Sequence, residues 1–225
     1  MPSPESIPAL DTPIVALATA ASSATFYMTL LPIPAPSGNY ARDRTSVLFC
    51  KCNCTISQKI GYPHTRMPSS PDDFVLLSPA DLGELGDYTC GSEEKRAEPE
   101  KRLHFYFCKT CGVRYFSLYT YGEDEGEVVD LVIGDSVRGV GEDGEGNQDV
   151  SELSRAWKCK KESWIEDSSQ GGQTGYLSIG AHTIEPDQEG FDLVELGKEK
   201  KMKYLDGRNQ REKSRYDCPH TGGTW

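Results

Sequence analysis

With 225 residues and a hydrophobic share of 36%, the chain suffices for one medium domain but not for an apolar core running its whole length. The formal net charge of -11 argues against phosphate backbones and anionic membrane surfaces as partners, so neither a nucleic acid nor a membrane is expected. No stretch approaches the roughly 20 apolar residues of a membrane span, and 14 Pro with 22 Gly favour short strands and many turns.

Residues 1–24 are rich in Pro, Ser and Ala with little periodicity, which predicts loose chain. The weakly apolar run at 13–21 has no Lys or Arg ahead of it and Asp11 beside it, unlike a secretory signal. Residues 25–31 (TFYMTLL) predict a strand, stopped by Pro32. Residues 46–52 predict a second strand, running into Cys50-Lys-Cys52-Asn-Cys54. A short buried strand at 74–77 (FVLL), one helical turn within 79–85 and a strand at 87–90 follow. Residues 104–108 (HFYFC) enter, and 114–121 leave, the run Cys108-Lys-Thr-Cys111-Gly112 as a strand–knuckle–strand hairpin. A strand at 128–133 (VVDLVI) precedes an acidic, glycine-rich stretch at 139–149 that is too poor in apolar residues to pack and predicts a mobile loop. Residues 176–184 predict a last strand, and 192–197 a short helix with Asp192 near its start. The basic run 198–203 reads as a solvated face balancing an acidic chain. The fold class expected is mainly β, built of twisted antiparallel sheets with few short helices.

The two cysteine runs carry the chemistry. A CxxC followed by glycine is what a structural zinc knuckle needs, because the glycine permits the tight turn that aims both thiolates at one ion. Thiolates in a zinc tetrahedron lie under about 4 Å apart, whereas alternate strand residues stand roughly 6.6 Å apart. Cys50, Cys52 and Cys54 therefore cannot all bind one ion on a straight strand. A bend at Asn53 brings two of them together, and Cys50 is then the one left in the strand as a small buried hydrophobe. A CxC does not readily close an internal disulfide, so this spacing suits metal in a reducing compartment, the cytoplasm or nucleus. Among the histidines, His104 is expected to share a strand face with Tyr106, His182 to be a strand residue, and His220 to be exposed near the tail. His64, after Tyr62-Pro63 and near the first cluster, is the one histidine to weigh as a stand-in ligand.

The order of motifs resembles the glutathione-dependent formaldehyde-activating (GFA) family, also called the centromere protein V domain family, and its fungal members in particular. The carrying residues are Cys52-Asn53-Cys54-Thr55-Ile56-Ser57, Phe74-Val75-Leu76-Leu77-Ser78-Pro79, Leu85-Gly86-Asp87-Tyr88-Thr89, Phe107-Cys108-Lys109-Thr110-Cys111-Gly112, Tyr176-Leu177-Ser178, Gly190-Phe191-Asp192-Leu193, Tyr204-Leu205-Asp206 and Pro219-His220-Thr221-Gly222-Gly223. The likeness covers residues 25–225 as one domain, with 139–149 as an insertion. It implies a β-tent fold with two zinc ions, one structural and held by an early CxC with the late CxxC, the other at the reaction centre and held by CxCxxC. It also implies a carbon–sulfur lyase acting on a small thiol such as glutathione and an aldehyde.

Two departures stand against the family pattern. The early CxC falls in register on Thr19 and Ala21, and the third cysteine of CxCxxC is Ser57. A serine hydroxyl is hard and stays protonated near neutral pH, a poor substitute for thiolate. The expected metal residues are thus Cys52, Cys54, Cys108 and Cys111, with Cys50, Ser57 and His64 as weaker candidates; no catalytic residue is assigned. Three accounts stay open: a degenerate member that keeps the fold, a misread exon supplying residues 1–24, or four cysteines regrouped around one ion. Function divides accordingly between an impaired zinc-dependent lyase and a non-catalytic β-rich scaffold for protein interaction.

Overall fold

The computed structural model describes residues 5–6, 14–18, 25–29, 47–67, 69–90, 103–119, 126–133, 152–161, 166–167, 172–173, 176–184, 191–209 and 214–223. Short strands dominate. In chain order they begin with β1 (Glu5–Ser6), β2 (Ile14–Ala18), β3 (Thr25–Thr29) and β4 (Leu48–Cys52). Helix α1 (Thr55–Ile60) leads into β5 (His64–Arg66), and α2 (Ser70–Asp73) into β6 (Phe74–Ser78). A 3-10 turn at Leu82–Glu84 precedes β7 (Gly86–Thr89), β8 (His104–Phe107), β9 (Arg114–Tyr119), β10 (Gly126–Ile133) and β11 (Glu152–Cys159). The two-residue strands β12 (Glu166–Asp167) and β13 (Gly172–Gln173) pair with each other. Strand β14 (Tyr176–Gly180), helix α3 (Leu193–Lys198) and β15 (Lys203–Leu205) complete the set. The protein is mainly β with few short helices, as the turn-rich composition implies.

Two sheets carry the structure. One has the order β1-β10-β11-β6-β3-β2, the other β15-β4-β5-β14-β9-β8-β7. Most neighbours are antiparallel, as expected, while β1 with β10 and β15 with β4 are parallel, which makes both sheets mixed. The strands β1 and β2 fall in the stretch read as loose; β2 pairs along its length with β3. The stretches 19–24 and 139–149, with the readings attached to them, lie outside the described residues.

Apolar residues of both sheets meet in one core. Phe74 of β6 packs edge-on against Phe116 of β9 and against Trp157 of β11, at 5.4 and 6.4 Å between ring centres. Phe49, Leu76, Leu118 and Ile179 join the same cluster. In β9, flanked by β14 and β8, residues from Arg114 to Leu118 are all buried. A strand with no wet face reads as a continuous run rather than an alternating one. Asp192 caps α3 by accepting from the N–H groups of Val194 and Glu195. That satisfies donors a helix start leaves open, and it lets Leu196 enter the core. In the basic run, Lys198 pairs with Glu195 and Lys201 with Glu199, a solvated charged face. No helix among the described residues is long and apolar enough to cross a membrane.

Candidate functional site

The bend expected at Asn53 is present. Strand β4 ends at Cys52, and Cys54 is already the N-cap of α1. The N–H of Cys54 donates to Cys52 Sγ at 3.3 Å, and the two thiols hydrogen-bond each other. Ser57 Oγ lies 3.2 Å from Cys54 Sγ, and the Ser57 N–H points at the same sulfur at 3.5 Å. Ser57 thus occupies the third position of the cluster as a hydrogen-bond partner of Cys54.

This pocket of donors sets the charge on the pair. The Cys52 thiol, then Ser57 and the N–H of Ile56, hold Cys54 down to about 5 against the opposing effect of burial. Cys52 is pushed up, first because its proton is shared with Cys54 and then by burial. The two thiols titrate as a coupled pair in which Cys54 is favoured to ionise and Cys52 to keep its proton. Cys50, two residues back in β4, is 1% exposed, and burial raises it to about 11. It stays in the strand as a core thiol.

Asn53 holds the bend. Its amide donates to Asp206 Oδ1 at 2.8 Å and to the Thr221 carbonyl at 3.1 Å, while its own oxygen accepts from the Arg208 N–H at 3.0 Å. The Asn53 N–H donates to the Leu205 carbonyl. A buried amide with every group matched is a fixed part of the frame, so Asn53 braces the loop and does not offer itself to a substrate. Gly207 closes over the pair: a Cβ built there would fall onto Cys52 Sγ. Its backbone N–H also faces that sulfur.

The second cluster is a local turn. Gly112 adopts φ 75°, which favours glycine. Its N–H donates to the Cys108 carbonyl, and Cys108 N–H to the Val113 carbonyl, both at 2.9 Å. Cys108 Sγ accepts from the N–H groups of Thr110 and Cys111 at 3.3 and 3.4 Å. Two N–H groups aimed at one sulfur are the environment of a ligating thiolate. Yet Cys108 is buried in the core while Cys111 is exposed.

The histidines sort differently from one another. His104 Nδ1 lies 2.7 Å from Asp87 Oδ2 on the neighbouring strand, and its ring stacks near Tyr106. His182 leaves β14 for a 3-10 turn, where it stacks on Tyr62 with ring centres 3.4 Å apart, instead of sitting in a strand. His220 is 4% exposed, so the expectation that it faces solvent is corrected: the tail folds back and is pinned by Arg215, which donates to the carbonyls of Cys218 and Pro219. His64 lies across the β4–β5 ladder from Cys50. Burial, then the positive charges of Arg114 and Arg66, lower it to about 4. Two guanidinium groups nearby disfavour a metal cation there.

Three residues were not singled out from the sequence. Cys90, at the end of β7, feels the charge of Cys54, is raised mainly by burial, and hydrogen-bonds Tyr88. Arg114, 8% exposed at the start of β9, lies over the Phe105 ring at 5.3 Å. Tyr88 is 54% exposed. Arg114 and Tyr88 line a cavity of about 400 Å³ between α1 and the knuckle, whose other walls include Ile56, Ile60, Phe107 and Gly112. A Cys at 90 and an Arg two residues beyond Gly112 were readable as residues, but only the pairing of β7 with β8 and of β8 with β9 brings them to one place.

The fit to zinc is short at both clusters. Cys52 and Cys54 with Ser57 offer two sulfurs and a hydroxyl, where zinc takes four ligands, or three and an open position. Among the described residues no group of three or more His, Cys, Asp or Glu is arranged to hold a metal ion. The partners expected for Cys108 and Cys111 are Thr19 and Ala21, which bring no thiol and lie outside the described residues. Comparison with protein-family models, with curated proteins and with solved structures returned no match.

Proposed function

We propose that the Cys52–Cys54 pair performs GFA-type carbon–sulfur chemistry on adducts of an aldehyde with a small thiol such as glutathione, in a form weakened by missing cysteine ligands. The observation that carries this reading is the meeting of two sulfurs at the Asn53 bend, at the start of a helix whose Ile56, Lys59 and Ile60 line a cavity large enough for a small molecule. Two thiols and a hydroxyl are too few to close a thiolate zinc site, so the steps run through the chain's own groups.

Cys54 Sγ attacks the aldehyde carbon. A C–S bond forms as the C=O electron pair moves onto oxygen, and that oxygen takes the Cys52 proton to give a hemithioacetal. The reverse breaks the C–S bond, returns the proton to Cys52 and frees the aldehyde, which the small thiol captures as its own S–H proton passes to the new hydroxyl. Asn53 and Gly207 hold both sulfurs in place throughout. All eight cysteines are free thiols, which supports the cytoplasm or nucleus as the compartment.

The shortfall of ligands also supports the second reading, a non-catalytic scaffold. Exchange measured by NMR with labelled formaldehyde and glutathione separates the two. The lyase reading expects the chain to accelerate exchange and Cys54→Ser to abolish the effect; equal rates with and without the chain favour the scaffold. Zinc remains part of the proposal as a weak occupant. Restoring Ser57→Cys adds a third sulfur, and zinc per chain after dialysis should rise by about one; no gain would count against Cys52, Cys54 and position 57 as a ligand set.

A further inference from the structure

The cavity between α1 and the knuckle has room for more than a one-carbon group. Its volume of about 400 Å³ lies in the range of small-molecule sites. The lining is aliphatic and aromatic: Ile56 and Ile60 from one turn of α1 face Tyr88 and Phe107 from the β7–β8 hairpin. Tyr88 is one of the few large apolar side chains exposed among the described residues, and it sits at this cavity. A half-exposed ring beside an apolar wall suits an amphipathic ligand.

The charge is equally selective. The chain carries a net -11, yet the two charged residues lining this cavity are both cations, Lys59 and Arg114. Arg114 is buried against Phe105, where water screens it little. A planar guanidinium in such a place matches a carboxylate.

We propose that this cavity binds the aryl half and the carboxylate of an arylalkyl carboxylate. The assignment deepens the reading above, on which it rests for substrate: the preferred thiol adduct carries a bulky aromatic group. Ile56 follows Cys54 by two residues, so their Cα atoms are at most about 7 Å apart. The cavity is thus walled in part by the helix that Cys54 caps, which joins it to the segment holding the sulfur pair.

Calorimetric titration of the whole chain with three probes tests this: S-benzylglutathione, S-methylglutathione and 4-phenylbutyrate. The expected result is that the benzyl thioether binds at least tenfold tighter than the methyl one, and that phenylbutyrate binds as well. Tyr88→Ala, at an exposed position, should cut the benzyl advantage at least threefold, and Lys59→Glu should weaken phenylbutyrate several-fold. Equal affinity for the two thioethers, with no binding of phenylbutyrate, overturns the proposal while leaving the glutathione reading intact. Phenylbutyrate binding that Tyr88→Ala weakens, with neither thioether bound, supports the cavity assignment and removes glutathione as the substrate's thiol. Phenylbutyrate binding unaffected by both substitutions overturns the assignment.

Discussion

The two cysteine clusters are built on opposite principles. The Cys108–Cys111 knuckle is turned by its own backbone, through hydrogen bonds among residues 108 to 113, while the Lys109 side chain reaches out to the Gly83 carbonyl. The Cys52–Cys54 bend is closed from outside, by groups 153, 155 and 168 residues further along the chain. A turn that satisfies itself survives changes elsewhere. A bend bolted by distant segments exists only once the whole domain has folded, and it couples the thiol pair to the C-terminal tail.

The largest effect should come from removing the bolt. Asn53→Ala takes one donor from buried Asp206, which keeps the Asn209 N–H, another from the part-buried Thr221 carbonyl, and the acceptor of the Arg208 N–H, and such losses add up at about 1 kcal/mol each. We expect a loss of roughly 3 kcal/mol in urea unfolding, whereas Thr110→Ala in the knuckle should stay within about 0.5 kcal/mol because only its backbone is used. Similar losses for the two would erase the distinction between the clusters.

Gly207→Ala should come next. Its Cβ meets Cys52 Sγ, and overpacking of this kind costs about 1–3 kcal/mol. The sharper readout is chemical: the variant should lose the fast alkylation of Cys54 while the labelling of Cys111 stays unchanged.

A smaller, pH-dependent effect belongs to the frame around the bend. Burial first and then Arg114 hold both His64 and His182 down to about 4, from an ordinary 6.5. Between these values the unfolded chain binds protons that the folded chain refuses, so stability falls as pH drops from about 6.5 to 4 and levels off below. His64→Gln should flatten part of that slope in thermal melts across the window. An unchanged slope would mean that the histidine is not kept neutral by the fold.

The contrast also explains what could be read from the sequence. The knuckle was legible because glycine after CxxC specifies a local conformation, and Gly112 adopts it. The kink at Asn53 was legible from sulfur spacing alone, since a straight strand keeps alternate thiols apart. The role of Asn53 was not, because Asp206, Arg208 and Thr221 are brought to it by β15 pairing alongside β4 and by the returning tail. Strand β11 was hidden for a related reason. Its burial runs through Ala156, Trp157 and Cys159 without clean alternation, and its partners β10 and β6 flank it on both sides. Helix α1 was masked by reading Thr55-Ile56-Ser57 as part of a ligand motif, when Cys54 accepts from Ser57 as an N-cap does. Likewise, the basic Arg114 gave no hint of the cavity until the β7–β8–β9 meander set it against Phe105.

The account rests on the two sulfurs at Asn53 acting as a pair. A brief iodoacetamide pulse at pH 6, resolved by peptide mass spectrometry, measures this directly. The account predicts that half-buried Cys54 is labelled before exposed Cys111, and that Cys52→Ala slows Cys54 at least tenfold. Labelling that follows exposure alone, with Cys111 first and Cys54 indifferent to Cys52, would contradict it.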